Sequence, residues 1–336
     1  MRRFAMTAIA AILFGANVAN AETVLRYNNW LPVGHHLEKN VMRPWAAKVK
    51  EVTHERVVVE YSTGPLGPLL KSHEMVVSGI ADVVLTADSY TPGLFPLAEI
   101  VELPFVGSAD NEKVSGAYWK VYKEFFEPVH PYSRTKLVTL YSVPPLNVFT
   151  LKKSVTQAND MEGMKLRVSG QISKDLISSL GATTISGPIS KLAEMVSTGV
   201  VDGIVLPDDP AYSFGMARFM KYRTVFPEGG LGGTSIIVLM NKNKWDSISK
   251  ADQEAIDRIS GEVLSRASGR SYNGATEVAI EGFKKAGAKT IEASPELVAR
   301  AKKAAEPMEQ AWIAKAKAKG VDGAAALKRL RELATQ

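Results

Sequence analysis

MEGMKLRVSGQISKDLISSLGATTISGPISKLAEMVSTGVVDGIVLP, residues 161–207, is the stretch on which the fold turns. Lys165–Val168 reads as a short strand. Ile172, Leu176, Ile177 and Leu180 recur at helical spacing, and Gly181 is the residue type that ends a helix in the left-handed region. Thr183–Ser186 reads as a second strand. Pro188 suits a helix start, Leu192, Met195 and Val196 give that helix an apolar face, and Gly199 closes it before a third strand at 200–206. Strands joined by helical crossovers are parallel. Arg167 stands among the apolar residues of the first strand, just before Ser169 and Gly170. An arginine so placed has to be matched by an anion or be left exposed. The anion is either a bound ligand or a nearby Asp or Glu.

The same order occurs earlier in the chain. Residues 24–30 read as a strand, and Leu37, Val41, Trp45 and Val49 form a helical stripe that Pro44 interrupts. A second strand alternates over 57–62, a helix follows near 67–78, and a third strand lies at 82–86. Two such units predict an α/β protein of two parallel, doubly wound lobes around a cleft. Between Ser249 and Ala286 a helical pattern persists, opened by a capping pair of Ser249 and Asp252. Ala255, Ile256, Ile259, Val263 and Leu264 supply its apolar face, and Gly261, Gly269 and Gly274 each weaken it by roughly 1 kcal/mol. At about 1.5 Å per residue such a helix outruns one lobe and can brace two. No linker separates the halves, so the chain is expected to cross between lobes more than once, making a hinge. The division expected is 22–145 with 234–273 in lobe I, and 146–233 with 274–336 in lobe II. Ligands of such folds sit in the crevice at the strand carboxyl ends.

The first 21 residues read as a signal peptide outside the fold. Arg2 and Arg3 form a positive start, residues 4–16 are apolar, and Ala19-Asn20-Ala21 is an A-x-A cleavage site. The apolar stretch is short of the roughly 20 residues of a spanning helix, so a soluble periplasmic protein is expected. Cysteine is absent, which excludes disulfides, thiol catalysis and a lipid-modified cysteine. The whole chain carries 41 basic and 35 acidic residues, and losing Arg2 and Arg3 leaves 39 against 35, a net +4. The C-terminal lysines, among them Lys302, Lys315, Lys317, Lys319 and Lys328, read as a solvated helix face, and no nucleic-acid partner is expected. An apolar content of 46% is ample for two cores.

YSTGPLG at 61–67, LPFV at 103–106, MEGMKLRV at 161–168, LGA at 180–182, STGVVDG at 197–203 and MNKNKWDSI at 240–248, in that order and spacing, resemble the solute receptors of tripartite ATP-independent periplasmic (TRAP) transporters, the C4-dicarboxylate-binding-protein (DctP) family. The resemblance spans nearly all of the mature chain. It implies two α/β lobes closing on a ligand, a long helix across both, and membrane transporter subunits as partners. It also implies that the arginine of the K-L-R motif, here Arg167, binds the ligand carboxylate, which suits a guanidinium fork. Many relatives read D-G-Q-E-N-P where this chain has DGIVLP at 202–207, so Val205 and Leu206 occupy the usual Glu and Asn positions. Relatives also often carry a polar residue in the segment before the K-L-R motif, where this chain has YSVPPLNVF at 141–149, including Pro144, Pro145 and Leu146. Both departures remove polar partners and point to one carboxylate on an apolar, aromatic body. The ligand contacts expected are Arg167, Trp30, Tyr90, Leu146, Leu206 and Tyr212, with Asn29, Ser89 and Thr234 as supporting polar groups. Asp208 and Asp209 are expected on a solvated loop.

Other readings compete. The alternative ligands are a C4-dicarboxylate, a keto acid or a sugar acid, and the alternative partner of the receptor is a sensor. An enzyme lacks support: there is no G-x-S-x-G, and the second histidine of a zinc-protease pattern begun by His73 and Glu74 is Val77. GGLGG at 229–233 is not followed by the lysine of a phosphate loop. His54, His73 and His130 read as surface or loop residues. His35 and His36 are a possible metal or ligand pair, or simply the start of a helix. No catalytic residue, cofactor or metal site is expected, and the protein is expected to be a monomer.

Overall fold

A computed structural model describes residues 22–227 and 229–335; the expected signal peptide lies outside them. Eleven strands are present among the described residues: β1 (Thr23–Tyr27), β2 (Val57–Tyr61), β3 (Val83–Ala87), β4 (Thr135–Val143), β5 (Asn147–Thr150), β6 (Lys165–Val168), β7 (Thr183–Ser186), β8 (Gly203–Leu206), β9 (Tyr222–Val225), β10 (Thr234–Asn241) and β11 (Lys289–Glu292). They form a five-stranded sheet, β2-β1-β3-β10-β4, and a six-stranded sheet, β11-β9-β5-β8-β6-β7.

Each sheet carries the parallel triplet that the sequence predicts. β1 pairs in parallel with β2 and β3, joined through helices Arg43–Val52 and Ser72–Ser78. β6 pairs in parallel with β7 and β8, joined through Gln171–Ser179 and Leu192–Ser197. The sheets as wholes are mixed, because the strands at each crossing run against the triplet. β10 is antiparallel to β3 and β4, and β5 is antiparallel to β8 and β9. Pro44 does not break the first helix. A π-helical turn over Glu38–Met42 runs directly into helix Arg43–Val52, and the proline, which has no amide to donate, sits just after that wider turn.

The chain passes from one sheet to the other at 144–146 and returns at 226–233. The two segments lie against each other: the Leu146 amide donates to the Gly232 carbonyl at 2.8 Å. Gly230, at φ +62°, sits where a Cβ would be 2.8 Å from Pro145 Cβ, so glycine is required by both conformation and space.

The expected long helix is broken once. Lys250–Arg258 is capped by Ser249, whose Oγ accepts the Asp252 amide at 3.2 Å. The chain then turns at Ile259 and Ser260, and Gly261, at φ +58°, opens the 25-residue helix Gly261–Lys285. This helix braces both sheets. Near its start Thr139 Oγ1 of β4 donates to the Gly261 carbonyl at 2.8 Å, and near its end Phe283 stacks on Phe149 of β5 with ring centroids 4.8 Å apart.

The C-terminal residues also span both sides. Leu297 and Ala301 pack with Leu166 and Val205 of the second sheet. Trp312, Leu327 and Leu330 pack with Val114 and Tyr118 beside the first sheet, although the sequence division places all of 274–336 with the second.

Candidate functional site

The carboxyl ends of the two parallel triplets face one cavity. The first-sheet side supplies Trp30 and Leu31 after β1, Leu85, Ala87 and Tyr90 at the end of β3, Val143 of β4 and Thr234 and Ile236 of β10. The second-sheet side supplies Arg167 and Ser169 at the end of β6, Ile189 after β7, and Leu206, Pro207, Pro210 and Phe214 after β8. Tyr272 of the bracing helix closes the wall. Most of these side chains are apolar or aromatic, so a ligand here leaves water for a greasy, aromatic surround. Trp30 is fixed by its indole N–H, which donates to the Leu85 carbonyl at 2.8 Å, and its ring lies 6.4 Å from that of Phe214.

Arg167 is the charged group of this wall. It is 0% exposed. Nε and Nη2 both donate to the Gly187 carbonyl, at 3.0 and 2.5 Å, which ties the head group to the end of β7. Nη1 is buried with no acceptor. Burial pulls its pKa below the ordinary arginine value, and the Tyr90 hydroxyl beside it partly offsets this. No Asp or Glu among the described residues contributes to that balance. Of the two anions open to Arg167 on sequence grounds, the described residues supply no internal one. Tyr90 is held by the Ile189 amide, which donates to its hydroxyl at 3.2 Å across the two sides of the cavity.

The structure brings together five of the expected contacts, Arg167, Trp30, Tyr90, Leu206 and Thr234. It places four elsewhere. Asn29 lies beside the wall, its amide donating to Ser62 Oγ at 2.9 Å. Ser89 lines a neighbouring crevice with Glu102 and Gly170. Leu146 is packed in the core of the second sheet. Tyr212 is 36% exposed and rests edge-on against Phe283 on the outer side. Phe214 takes the inward position instead. Two residues along a helix turn rotate a side chain by about 200°, so Tyr212 and Phe214 face opposite ways. The same alternation separates the DGIVLP pair: Leu206 lines the cavity, while Val205 points into the core on the other face of β8.

Two expectations from the sequence are corrected. Asp208 and Asp209 are buried, at 4% and 5% exposure, in helix Asp208–Ser213. Asp208 takes a fork from Arg223, with Nη2 to Oδ2 at 2.7 Å, and a further bond from Asn147 Nδ2 at 3.0 Å. Asp209 Oδ2 accepts from His36 Nε2 at 3.0 Å, across the two sides of the cleft. His73, expected at the surface, is 6% exposed and packs edge-on against Phe95.

His35, not chosen as a contact from the sequence, lines the cavity. Burial lowers its pKa to about 4, with His36 adding to the shift and Asp209 opposing it. The imidazole is therefore neutral at pH 7. Behind the first-sheet side, Asp88 and Glu102 form a buried acid pair, both pushed up to about 8 by burial, with Asp88 further raising Glu102.

Residues 28–316 match the family of bacterial extracellular solute-binding proteins, family 7. The chain belongs to that family. It is a TRAP solute-binding protein, of a periplasmic family whose solved members are receptors. A TRAP periplasmic solute-binding protein from Bordetella bronchiseptica, solved with bound (R)- and (S)-mandelate, is 30% identical with a TM-score of 0.89, covering 93% of this chain and 99% of that one. A marine metagenome TRAP solute-binding protein specific for aromatic acid ligands, solved with 3-hydroxybenzoate, is 29% identical with a TM-score of 0.85, covering 94% and 98%. A Comamonas testosteroni protein named outer membrane transporter protein TsaT is 28% identical over 327 residues, 97% of this chain and 96% of its own. No helix among the described residues is long and apolar enough to cross a membrane.

Proposed function

We propose that this receptor captures an aromatic monocarboxylate in the periplasm and hands it to the membrane subunits of a TRAP transporter. The observation that carries the reading is the buried Arg167 Nη1, a charged donor without an acceptor in a cavity walled by Trp30, Tyr90, Phe214 and Tyr272. A carboxylate would take that donor and supply the missing negative charge, and the aryl body would fill the apolar remainder. A dicarboxylate or sugar acid would bring a second charge or several hydroxyls against a wall that is apolar at Leu206, Ile236 and Val143, more than its few polar groups can partner.

In this reading the two lobes, built on 22–145 and on 146–233, pivot on the paired crossings at 144–146 and 226–233. Ligand contacts from both sides favour the closed form, and the shift equals the ligand's preference for closed over open. The contacts that bridge the cleft, Tyr90 to Ile189 and His36 to Asp209, belong to the closed state. The chain works as a monomer without enzymatic activity, after cleavage of residues 1–21.

A thermal-shift panel tests the reading. Benzoate, hydroxybenzoates and mandelate are expected to raise the melting temperature of the mature protein, while succinate, malate and pyruvate are not. Stabilisation follows RT ln(1 + [L]/Kd), so a ligand at a hundredfold excess over Kd adds about 2.7 kcal/mol. A shift with malate or succinate and none with aryl acids would overturn the proposal.

A further inference from the structure

The cavity has a second polar pole, and it belongs to His35. Its Nδ1 accepts the Leu37 amide at 3.2 Å. With the ring neutral, that bond leaves the proton on Nε2. Asp209 Oδ2 is 3.9 Å from Nε2, beyond hydrogen-bond range, and already takes the bond from His36. His35 is 6% exposed and held on both faces, stacked on His36 at 4.6 Å and met edge-on by Phe214 at 6.4 Å. It therefore stands in the cavity wall as a fixed, uncharged ring whose Nε2–H donates to no acceptor among the described residues.

The two poles are set apart by the sheet. The Arg167 head group is tied to Gly187, just past β7, whereas His35 lies by Asp209, just past β8, and β6 runs between those strands. Both residues line the one cavity, so an aryl acid lying along its wall places a carboxylate at the Arg167 pole and a further oxygen at the His35 pole.

A metal site is the competing use of this corner, since the ligating atoms of His35, His36 and Asp209 lie within 4.8 Å of one another. The bonding opposes it. A metal on His35 Nε2 would need the lone pair that this tautomer lacks, and both His36 nitrogens are engaged, with Ser271 Oγ at 2.7 Å and with Asp209.

We infer that His35 is a specificity-determining residue, and that the preferred ligand is an aryl carboxylic acid bearing a hydroxyl remote from the carboxylate, whose oxygen accepts the His35 Nε2 proton. The inference rests on the aryl-carboxylate reading above. It is tested by calorimetry on the mature protein with benzoate, 3-hydroxybenzoate and 4-hydroxybenzoate, for the natural chain and for His35→Phe and His35→Gln. At least one hydroxylated acid is expected to bind about tenfold tighter than benzoate, as one good hydrogen bond allows. The ratio should fall to about one in His35→Phe and be partly kept in His35→Gln, which retains an N–H donor. Should His35→Phe not fold, the histidine ¹⁵N spectrum of the natural protein decides: the His35 Nε2–H signal should move with the hydroxylated acid and stay put with benzoate. Equal binding of all three acids, or an unchanged ratio in His35→Phe, overturns this inference alone. Zinc-dependent binding abolished by a chelator overturns it in favour of a metal site. Failure of every aryl acid to bind overturns the parent reading as well.

Discussion

Arg167→Met separates the ligand anchor from the fold. In the natural protein the guanidinium is fully buried, two of its nitrogens share the Gly187 carbonyl, and Nη1 has no acceptor. Methionine fills a similar volume without charge, so the unliganded protein loses the Gly187 bond, a cost of about 1–3 kcal/mol for an unsatisfied carbonyl, and is relieved of an uncompensated buried charge. These oppose each other, and the melting temperature without ligand should move little. Binding has no such compensation. A carboxylate entering the substituted cavity is desolvated without its partner, at a cost of about 3–5 kcal/mol. That weakens Kd by roughly 10² to 10⁴. At a ligand concentration that is a hundred times the natural Kd, stabilisation of about 2.7 kcal/mol falls below about 0.5 kcal/mol. Calorimetry with benzoate or a hydroxybenzoate gives the affinity, and the melt with and without ligand gives the stability. A Kd within threefold of the natural one would refute the reasoning, because it would mean that Arg167 meets no charge on the ligand.

The buried acid pair sets a pH dependence. Asp88 and Glu102 hold protons in the fold up to about pH 8 but release them near pH 4 when unfolded. Their contribution is therefore fully present below about pH 4 and is lost as the pH rises towards 8. Urea midpoints should fall from pH 5 to pH 8, and Asp88→Asn, which keeps an acceptor for the Ser235 hydroxyl, should flatten that fall; an unchanged slope would count against the burial argument. Arg223→Ala strands Asp208 in the interior and should cost about 3–5 kcal/mol in denaturant unfolding. Gly269→Ala places a Cβ 2.3 Å from the Asn111 carbonyl oxygen, prying helix Gly261–Lys285 from helix Asn111–Val121, and should cost about 1–3 kcal/mol by the same measure.

By itself the sequence determined the elements that local chemistry controls. The periodic apolar stripes, the Ser249 cap and the glycines at helix ends fix where strands and helices run, because each depends on residues within a turn or two of one another. The K-L-R strand was legible as a strand for the same reason, whereas an anchoring role for Arg167 followed only from the family resemblance, since on sequence grounds an internal Asp or Glu was an equal partner. The tertiary structure decided what depends on neighbours distant in the chain. The antiparallel β10 and β5 follow from where the chain crosses between sheets, which no local pattern encodes. Asp208 and Asp209 look like solvent-facing acids until Arg223 and His36 are folded against them. Phe214 rather than Tyr212 enters the cavity because the roughly 200° rotation between them puts their side chains on opposite faces. His35 lines the cavity, with its Nδ1 taking the Leu37 amide, only because the fold places it there. Its charge and direction are properties of burial and contact, and neither is written in a pair of adjacent histidines.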